Sequence, residues 1–381
     1  MESISHRQGR TITKLVCYIN PTNTCKIKVK YGNLIFAIFR LSKTSQLSIM
    51  KAISFILFVS MFLLVNTESQ AQNKKKMQEQ KNPLLCDPQV GACEIPIDSN
   101  NLEANNLTLA IKKPVKVIYF TDPICSSCWG IEPQLRKLKL EYGNSIDVEY
   151  RMGGLLPDWS YNSGGISKPS DVAHHWDEVS LLYDMPIDGD VWLEDPLSSS
   201  YPPCIAFKAA QLQDNKKAIL FLREIREMVF MQKKNITKWE HLELAAQKVG
   251  LDVIQFQRDY NENAKTLFND DLKLSKELGV RGFPTLFFTD SAGKTEKVYG
   301  TKPYTDFENA VLTLFPTATK NVYDKSGHAV FSKYPTLTAK EFSELTGTPR
   351  NECEKILNDL TAKGTLIKQT SKNGSIWKLK L

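Results

Sequence analysis

Charge of one sign is in only small excess in this sequence. Its 49 basic residues are interleaved with 42 acidic ones along most of the 381 positions, and the net charge of +7 is mild. Charge alone therefore gives no reason to expect nucleic-acid binding. Cysteine is scarce as well: eight in a chain of this length are too few for a disulfide-stapled mini-domain, so each is weighed by its position. The five histidines form no closely spaced ligand pairs with cysteine, and no metal site is expected. Internal repeats are lacking, and the apolar run from Ala52 to Val65 is too short for a comfortable membrane span. What remains, 42% hydrophobic and 24% charged residues, is the balance of a folded soluble chain long enough for two domains.

From Met50 the chain reads as a secretory signal peptide. Lys51 precedes the apolar run, a polar stretch follows, and Ser69-Gln70-Ala71 offers small residues at a cleavage site before Gln72. Residues 50–71 are then the signal, residues 1–49 lie upstream of the true start, and the protein is extracytoplasmic, periplasmic or secreted, with no stable span after cleavage. The alternative is a start at Met1, which leaves an uncleaved anchor or a buried helix behind a disordered leader; the alternative location is the cytoplasm. No cysteine follows the cleavage site directly, so a lipoprotein anchor is not supported.

Residues 72–112 read as a linker that carries Cys86-Asp87-Pro88-Gln89-Val90-Gly91-Ala92-Cys93, where Asp-Pro and Gly mark a turn able to bring the two thiols together. Two readings stay open: a structural disulfide closing the loop, or an accessory redox pair that exchanges with a main site elsewhere.

The β-branched and aromatic run Lys116 to Thr121 predicts a buried strand, and Ile146 to Arg151 a second. Between them, helical spacing from Cys125 to Tyr142 predicts a helix that contains Pro133, where a proline costs about 3 kcal/mol and bends the axis. From about residue 155 to 278 the pattern turns helical: Val172 to Tyr183, Pro203 to Asp214, Lys217 to Met231, Lys238 to Val249, and Ile254 to Leu278 with a break near Asn261 to Asn263. Strands are expected at Thr285 to Thr289 and Glu296 to Tyr299, then a helix from Tyr304 to Leu314. Pro316 to about Tyr334 reads as a linker. The tail, residues 335–381, has helix, turn, helix, hairpin order and is expected to be winged-helix-like.

The chemistry centres on Cys125 and Cys128. A cysteine at a helix start faces free backbone N–H groups and the positive end of the helix dipole, which favours its thiolate. One turn along, Cys128 is placed to resolve a mixed disulfide. Phe283-Pro284 at the entry of a buried strand is where a cis X-Pro bond is expected, leaving the Phe283 backbone open to an extended substrate.

Strand, Cys-x-x-Cys helix, a proline eight residues after Cys125, and Gly279-Val280-Arg281-Gly282-Phe283-Pro284-Thr285 together resemble the thioredoxin superfamily. The long helical stretch between Cys128 and Pro284 is similar to the insertion of the DsbA type. Asp122-Pro123-Ile124-Cys125-Ser126-Ser127-Cys128-Trp129-Gly130, with Ser200-Tyr201-Pro202-Pro203, resembles the FrnE-like dithiol-disulfide isomerases and the SpxH (YjbH) adaptor proteins. The fold class implied is α/β: a thioredoxin-like domain over 113–316 with a large helical insertion, then the small C-terminal domain.

The function implied is thiol-disulfide exchange, as a reductase or isomerase of protein disulfides. Cys125, Cys128 and Pro284 are its catalytic set, and no cofactor is needed. Its partners are protein thiols and disulfides and an unidentified redox partner protein. The alternative is a non-enzymatic SpxH-like protease adaptor, or a redox-regulated binding protein, in the cytoplasm. Ser126 and Ser127 stand where DsbA has Pro and His, and serine supplies no cation, so a less acidic thiol and a less oxidising couple are expected.

Phe283 and Trp129 are the candidate substrate-binding residues, and Asp122 is a candidate proton acceptor, with a plain turn role as its alternative. His174 and His175 fall on different sides of a helix, and Cys204 reads as a buried thiol. In the tail, the candidate recognition helix carries Glu352, Glu354 and Asp359, so protein contact or structural packing is expected there rather than DNA binding.

Overall fold

Near the N-terminus the backbone forms three antiparallel strands, β1 (Lys14–Ile19), β2 (Cys25–Tyr31) and β3 (Leu34–Ile35), paired in that order. They belong to a unit spanning Met1–Lys76, and Met77–Leu381 is a second. The computed structural model describes residues 14–19, 25–31, 34–35, 91–94, 113–160 and 168–380. The signal-like segment 50–71 and Cys86 lie outside the described residues. Among those described, no helix is long and apolar enough to cross a membrane.

In the second unit a two-residue strand, β4 (Cys93–Glu94), precedes the central strand β5 (Val115–Thr121), all seven of whose residues are buried. A strand with neighbours on both edges is buried along its length, and its one charged residue, Lys116, is paired with Glu149. β6 (Ile146–Met152) pairs parallel to β5, with Val115 opposite Ile146. Between them lie α1 (Ser126–Gly130) and α2 (Glu132–Tyr142). The single bent helix expected from the sequence is thus two helices, broken at Ile131 (φ −94, ψ 0). Pro133 sits in the first turn of the second, where its missing N–H breaks no bond, so it starts a helix instead of bending one.

The insertion holds α3 (Pro169–Tyr183), α4 (Val191–Glu194), α5 (Tyr201–Gln213), α6 (Asn215–Gln232), α7 (Trp239–Lys248), α8 (Val253–Asn261) and α9 (Asn263–Glu277). Side-chain caps fix two of the starts: Asp214 accepts from the Lys216 and Lys217 amides at 2.6 and 3.0 Å, and Asp252 accepts from Gln255 at 2.9 Å. The break between α8 and α9 falls at Glu262, inside the expected interval. α4, one turn long, left no periodic signal.

The chain returns through β7 (Gly282–Phe283), a cis Phe283–Pro284 bond, β8 (Thr285–Asp290), β9 (Thr295–Tyr299) and α10 (Tyr304–Leu314). β8 is antiparallel to β5, and the sheet order is β6-β5-β8-β9. This is a thioredoxin-like α/β domain with a large helical insertion.

The expected linker after Pro316 is an ordered connection. Asn321 donates its amide to Glu141 at 2.7 Å, Tyr323 reaches the Leu345 carbonyl at 2.7 Å, and α11 (Gly327–Lys333) follows. Backbone and ring hydrogen bonds to both neighbours replace the solvation that a free linker would need. Then come β10 (Thr336–Thr338), α12 (Ala339–Thr346), α13 (Arg350–Ala362), β11 (Leu366–Ser371) and β12 (Gly374–Leu379), with β12 central in the sheet.

Packing and ion pairs bind this tail to the rest. α12 packs on α2, Arg350 pairs with both oxygens of Asp184 at 2.6 and 2.7 Å, and the hairpin tip places Lys372 between Asp177 and Asp190 at 2.5 and 2.8 Å.

Candidate functional site

β5 delivers the chain into a short turn, in which Asp122 Oδ1 accepts from the Ile124 amide at 3.0 Å. Cys125 caps α1 (φ −75, ψ 109), and its Sγ accepts from the Cys128 amide at 3.2 Å. This is the helix-start geometry expected from the sequence. The second sulfur, Cys128, lies one turn inside, and neither cysteine has exposed surface.

Opposite them lies the Phe283–Pro284 bend. Cys125 Sγ stands 3.7 Å from the Phe283 carbonyl oxygen, so Cys125, Cys128 and Pro284 come together although 158 positions separate Cys125 from Phe283. The Cζ end of the Phe283 ring presses on Gly153, where an added Cβ would come within 1.9 Å of Cζ. Gly153 was not singled out from the sequence, and no local pattern marks it.

The groove beside Phe283 is filled by the chain itself. β4 pairs antiparallel with β7, Cys93 opposite Phe283 and Glu94 opposite Gly282. One step earlier, Gly91 (φ 64) accepts from the amide and hydroxyl of Thr301 at 2.6 and 2.7 Å, and a Cβ there would come within 2.6 Å of Thr301. The register places Cys93 Sγ 3.2 Å from Cys125 Sγ and 3.6 Å from the Ser127 hydroxyl, which is bonded to the Tyr183 hydroxyl at 2.7 Å. Cys93 is disulfide-bonded, whereas Cys125 and Cys128 are free thiols.

The electrostatics revise one expectation. Burial pushes the Cys125 thiol well up, and its sulfur neighbour Cys128 adds to the effect; the helix-start amide pulls the other way and loses. Burial also opposes ionisation of Cys128. There it is outweighed by the hydrogen bond from Cys125, the charge of Arg226 and the Thr121 hydroxyl, which together hold Cys128 below its ordinary value. The favoured thiolate in this covered site is therefore Cys128.

The cation that the Ser-Ser spacer lacks comes from the insertion. Arg226 on α6 is buried, donating to Glu132 at 2.6 Å, to Thr121 Oγ1 at 2.6 Å and to the Asp122 carbonyl at 3.3 Å. A lone arginine in a helical run carries no signal of this role, and the sequence reading missed it.

Two other candidates sit differently from expectation. Trp129 does not line a groove: it has no exposed surface, donates Nε1–H to the Pro186 carbonyl at 3.0 Å, and lies between Phe230 and the Arg223 guanidinium, 4.3 Å from its ring centre. An indole directly after Cys128 on a five-residue helix turns inward to the insertion because its large apolar face is worth more buried. Asp122 is saturated, accepting from Ile124 and Leu155 amides, Ser200 and Cys204. Burial raises its pKa, its charge works against a thiolate at Cys125, and the four bonds give it an architectural place. Cys204 is buried as expected. Among the described residues no group of three or more His, Cys, Asp or Glu is placed to hold a metal ion.

Residues 119–309 match the sequence profile described as thioredoxin. Similar proteins include a ClpXP adapter protein SpxH of Halalkalibacterium halodurans, 32% identical over 79% of this chain and 99% of that protein. Another ClpXP adapter protein SpxH, from Bacillus subtilis, is 30% identical over 70% of this chain and 90% of its own length. Among solved structures, the cytosolic disulfide reductase DsbM from Pseudomonas aeruginosa covers 52% of this chain and 99% of its own, with 23% identity and a TM-score of 0.41.

Proposed function

This chain belongs to the thioredoxin-fold SpxH family, and from that premise we propose that it is a protein adaptor presenting a bound client to a ClpXP-type protease. In this reading the thiol pair responds to redox state and does not turn over external disulfides. Residues 113–316 are the thioredoxin domain, and 335–381 a winged-helix-like module that contributes protein-binding surface.

The observation that carries the reading is the sealed site: both sulfurs are fully buried, and the position of an extended substrate is held by the chain's own Cys93 strand. The likeness to adapter proteins along almost their whole length supports the same choice. Thiol-disulfide oxidoreductase chemistry is the second reading, favoured by the complete Cys125, Cys128 and Phe283–Pro284 arrangement around a buried cation.

The full chain, and a Cys125→Ser/Cys128→Ser double variant, are assayed for binding to ClpX and for reduction of insulin. Adaptor action predicts ClpX binding by both proteins and negligible insulin reduction. Insulin reduction that the double variant loses, with no ClpX binding, overturns it in favour of the enzyme. The compartment is tested by N-terminal sequencing of the native protein, because an N-terminus at Gln72 places the mature chain outside the cytoplasm and removes the adaptor reading.

A further inference from the structure

The Cys93 strand does more than cover the site. Main-chain pairing with β7 is the way an extended peptide is recognised by strand addition, and here it delivers a disulfide-bonded sulfur to a free thiol. Cys93 Sγ lies 3.2 Å from Cys125 Sγ, within the separation of roughly 3 to 3.5 Å at which bound reactants are poised to react. Gly91 on Thr301 and Cys93 on Phe283 clamp the segment from two sides, and Ser127, backed by Tyr183, faces the Cys93 sulfur.

We propose that the Cys93 disulfide is the built-in exchange partner of the Cys125–Cys128 pair, so that two electrons pass between the two sites within one chain. As Cys125 Sγ attacks Cys93 Sγ, its proton moves to the Cys128 sulfur. A Cys125–Cys93 bond forms, and the bond from Cys93 to its present partner breaks. That partner, for which the sequence offers Cys86, leaves as a thiolate. Cys128 then attacks Cys125 Sγ, giving up its proton to the departed thiolate. The Cys125–Cys128 disulfide forms and Cys93 leaves as a thiolate, taking a proton from solvent. The dithiol is oxidised and the Cys93 disulfide reduced, with no external oxidant; the reverse sequence returns the electrons. The sulfur-on-Cys128 charge and the Cys125-to-Cys128 hydrogen bond suit the first proton transfer.

This goes beyond the adaptor reading and does not depend on it. The test uses the full chain carrying Cys128→Ser, which cannot complete the second exchange, and reads the products at equilibrium, where solvent takes the Cys125 proton that the Cys128 sulfur accepts in the parent chain. The Cys93 disulfide is formed in mild oxidant, the protein is denatured in acid, free thiols are alkylated, and the peptides are mapped by mass spectrometry. A Cys93–Cys125 linked peptide in most molecules, with loss of alkylated Cys125, is the expected result, and Cys93→Ala added to the same chain abolishes it. Alkylated Cys125 beside an unchanged Cys93 disulfide, or a link only between two copies, overturns the proposal.

Wild-type protein supplies a measurement free of any variant. Oxidised chain given one equivalent of dithiol should redistribute the electrons between the two pairs with a half-time that does not change on dilution. A half-time that lengthens as the protein is diluted overturns the intramolecular route. Failure of either test leaves ClpX binding untouched, so it is distinguishable from failure of the adaptor reading.

Discussion

At the scale of the residue, the site depends on groups that do not themselves react. Arg226 is a buried guanidinium whose partners are Glu132, Thr121 and the Asp122 carbonyl, and its charge favours a thiolate at Cys128. Replacing it, Arg226→Met, removes that attraction, and the ultraviolet thiolate absorbance of Cys128 is expected to move to higher pH. The same change leaves Glu132 short of its nearest cation and should cost roughly 3 to 5 kcal/mol in urea unfolding. An unchanged thiolate titration would show that the cation is structural only. Gly153→Ala is expected to displace the Phe283 ring and, with it, the β7 edge on which Cys93 pairs. Faster alkylation of Cys125 than in the parent protein is the readout, at a stability cost of about 1 to 3 kcal/mol.

At the scale of the element, α3 shows how position on a helix decides chemistry for two neighbouring histidines. His174 is exposed and pairs with Glu178 one turn on, whereas His175 is buried with no hydrogen bond to its Nε2. Burial, reinforced by His174, lowers the His175 pKa from 6.5 to about 4. Between those two values the unfolded chain takes up a proton that the folded chain refuses, so stability falls as pH drops through that window. The loss attributable to this group is at most about 3.5 kcal/mol. Urea midpoints measured from pH 7 down to about 4 should lose this slope in His175→Phe, since no proton is then refused on folding.

For the molecule as a whole, a buried chain of charges ties the tail to the thioredoxin-like domain. Glu341 on α12 is fully buried, accepting from Arg223 at 2.7 and 3.1 Å and pairing with Arg136 at 3.1 Å, while Arg136 and Arg226 share Glu132. Burial works against the Glu341 carboxylate, but Arg136 and Arg223 hold its pKa below the ordinary value. Its contribution to stability is therefore present near neutral pH and is lost as pH falls through that lowered value. Glu341→Gln leaves two buried cations underpaired and should cost roughly 3 to 5 kcal/mol. Such a cost would make the 316–334 connection a preferred site of limited proteolysis. In the parent chain, hydrogen exchange of β5 and α12 should report one common opening free energy. Exchange of α12 at a clearly lower free energy would show the tail to be an independent unit.

Much of this was legible in the residues themselves. Short β-branched and aromatic runs placed the strands at β5, β6, β8 and β9, and 3.6-residue spacing placed most of the insertion helices, because backbone hydrogen bonding and side-chain burial are local demands. Cys125 at a helix start and Pro284 before a buried strand were identifiable for the same reason. Tertiary structure alone decided the rest. Pro133 starts a second helix because the chain turns at Ile131, and Trp129 faces Phe230 and Arg223 because the insertion folds over it. Which sulfur holds the charge depends on burial and on Arg226, some hundred positions away in sequence, and these outweigh the helix-start amide that motif spacing reveals. The sequence by itself placed Cys125 and Cys128 one turn apart at a helix start; the fold determined what they face, because the β4–β7 pairing brings the Cys93 disulfide to Cys125.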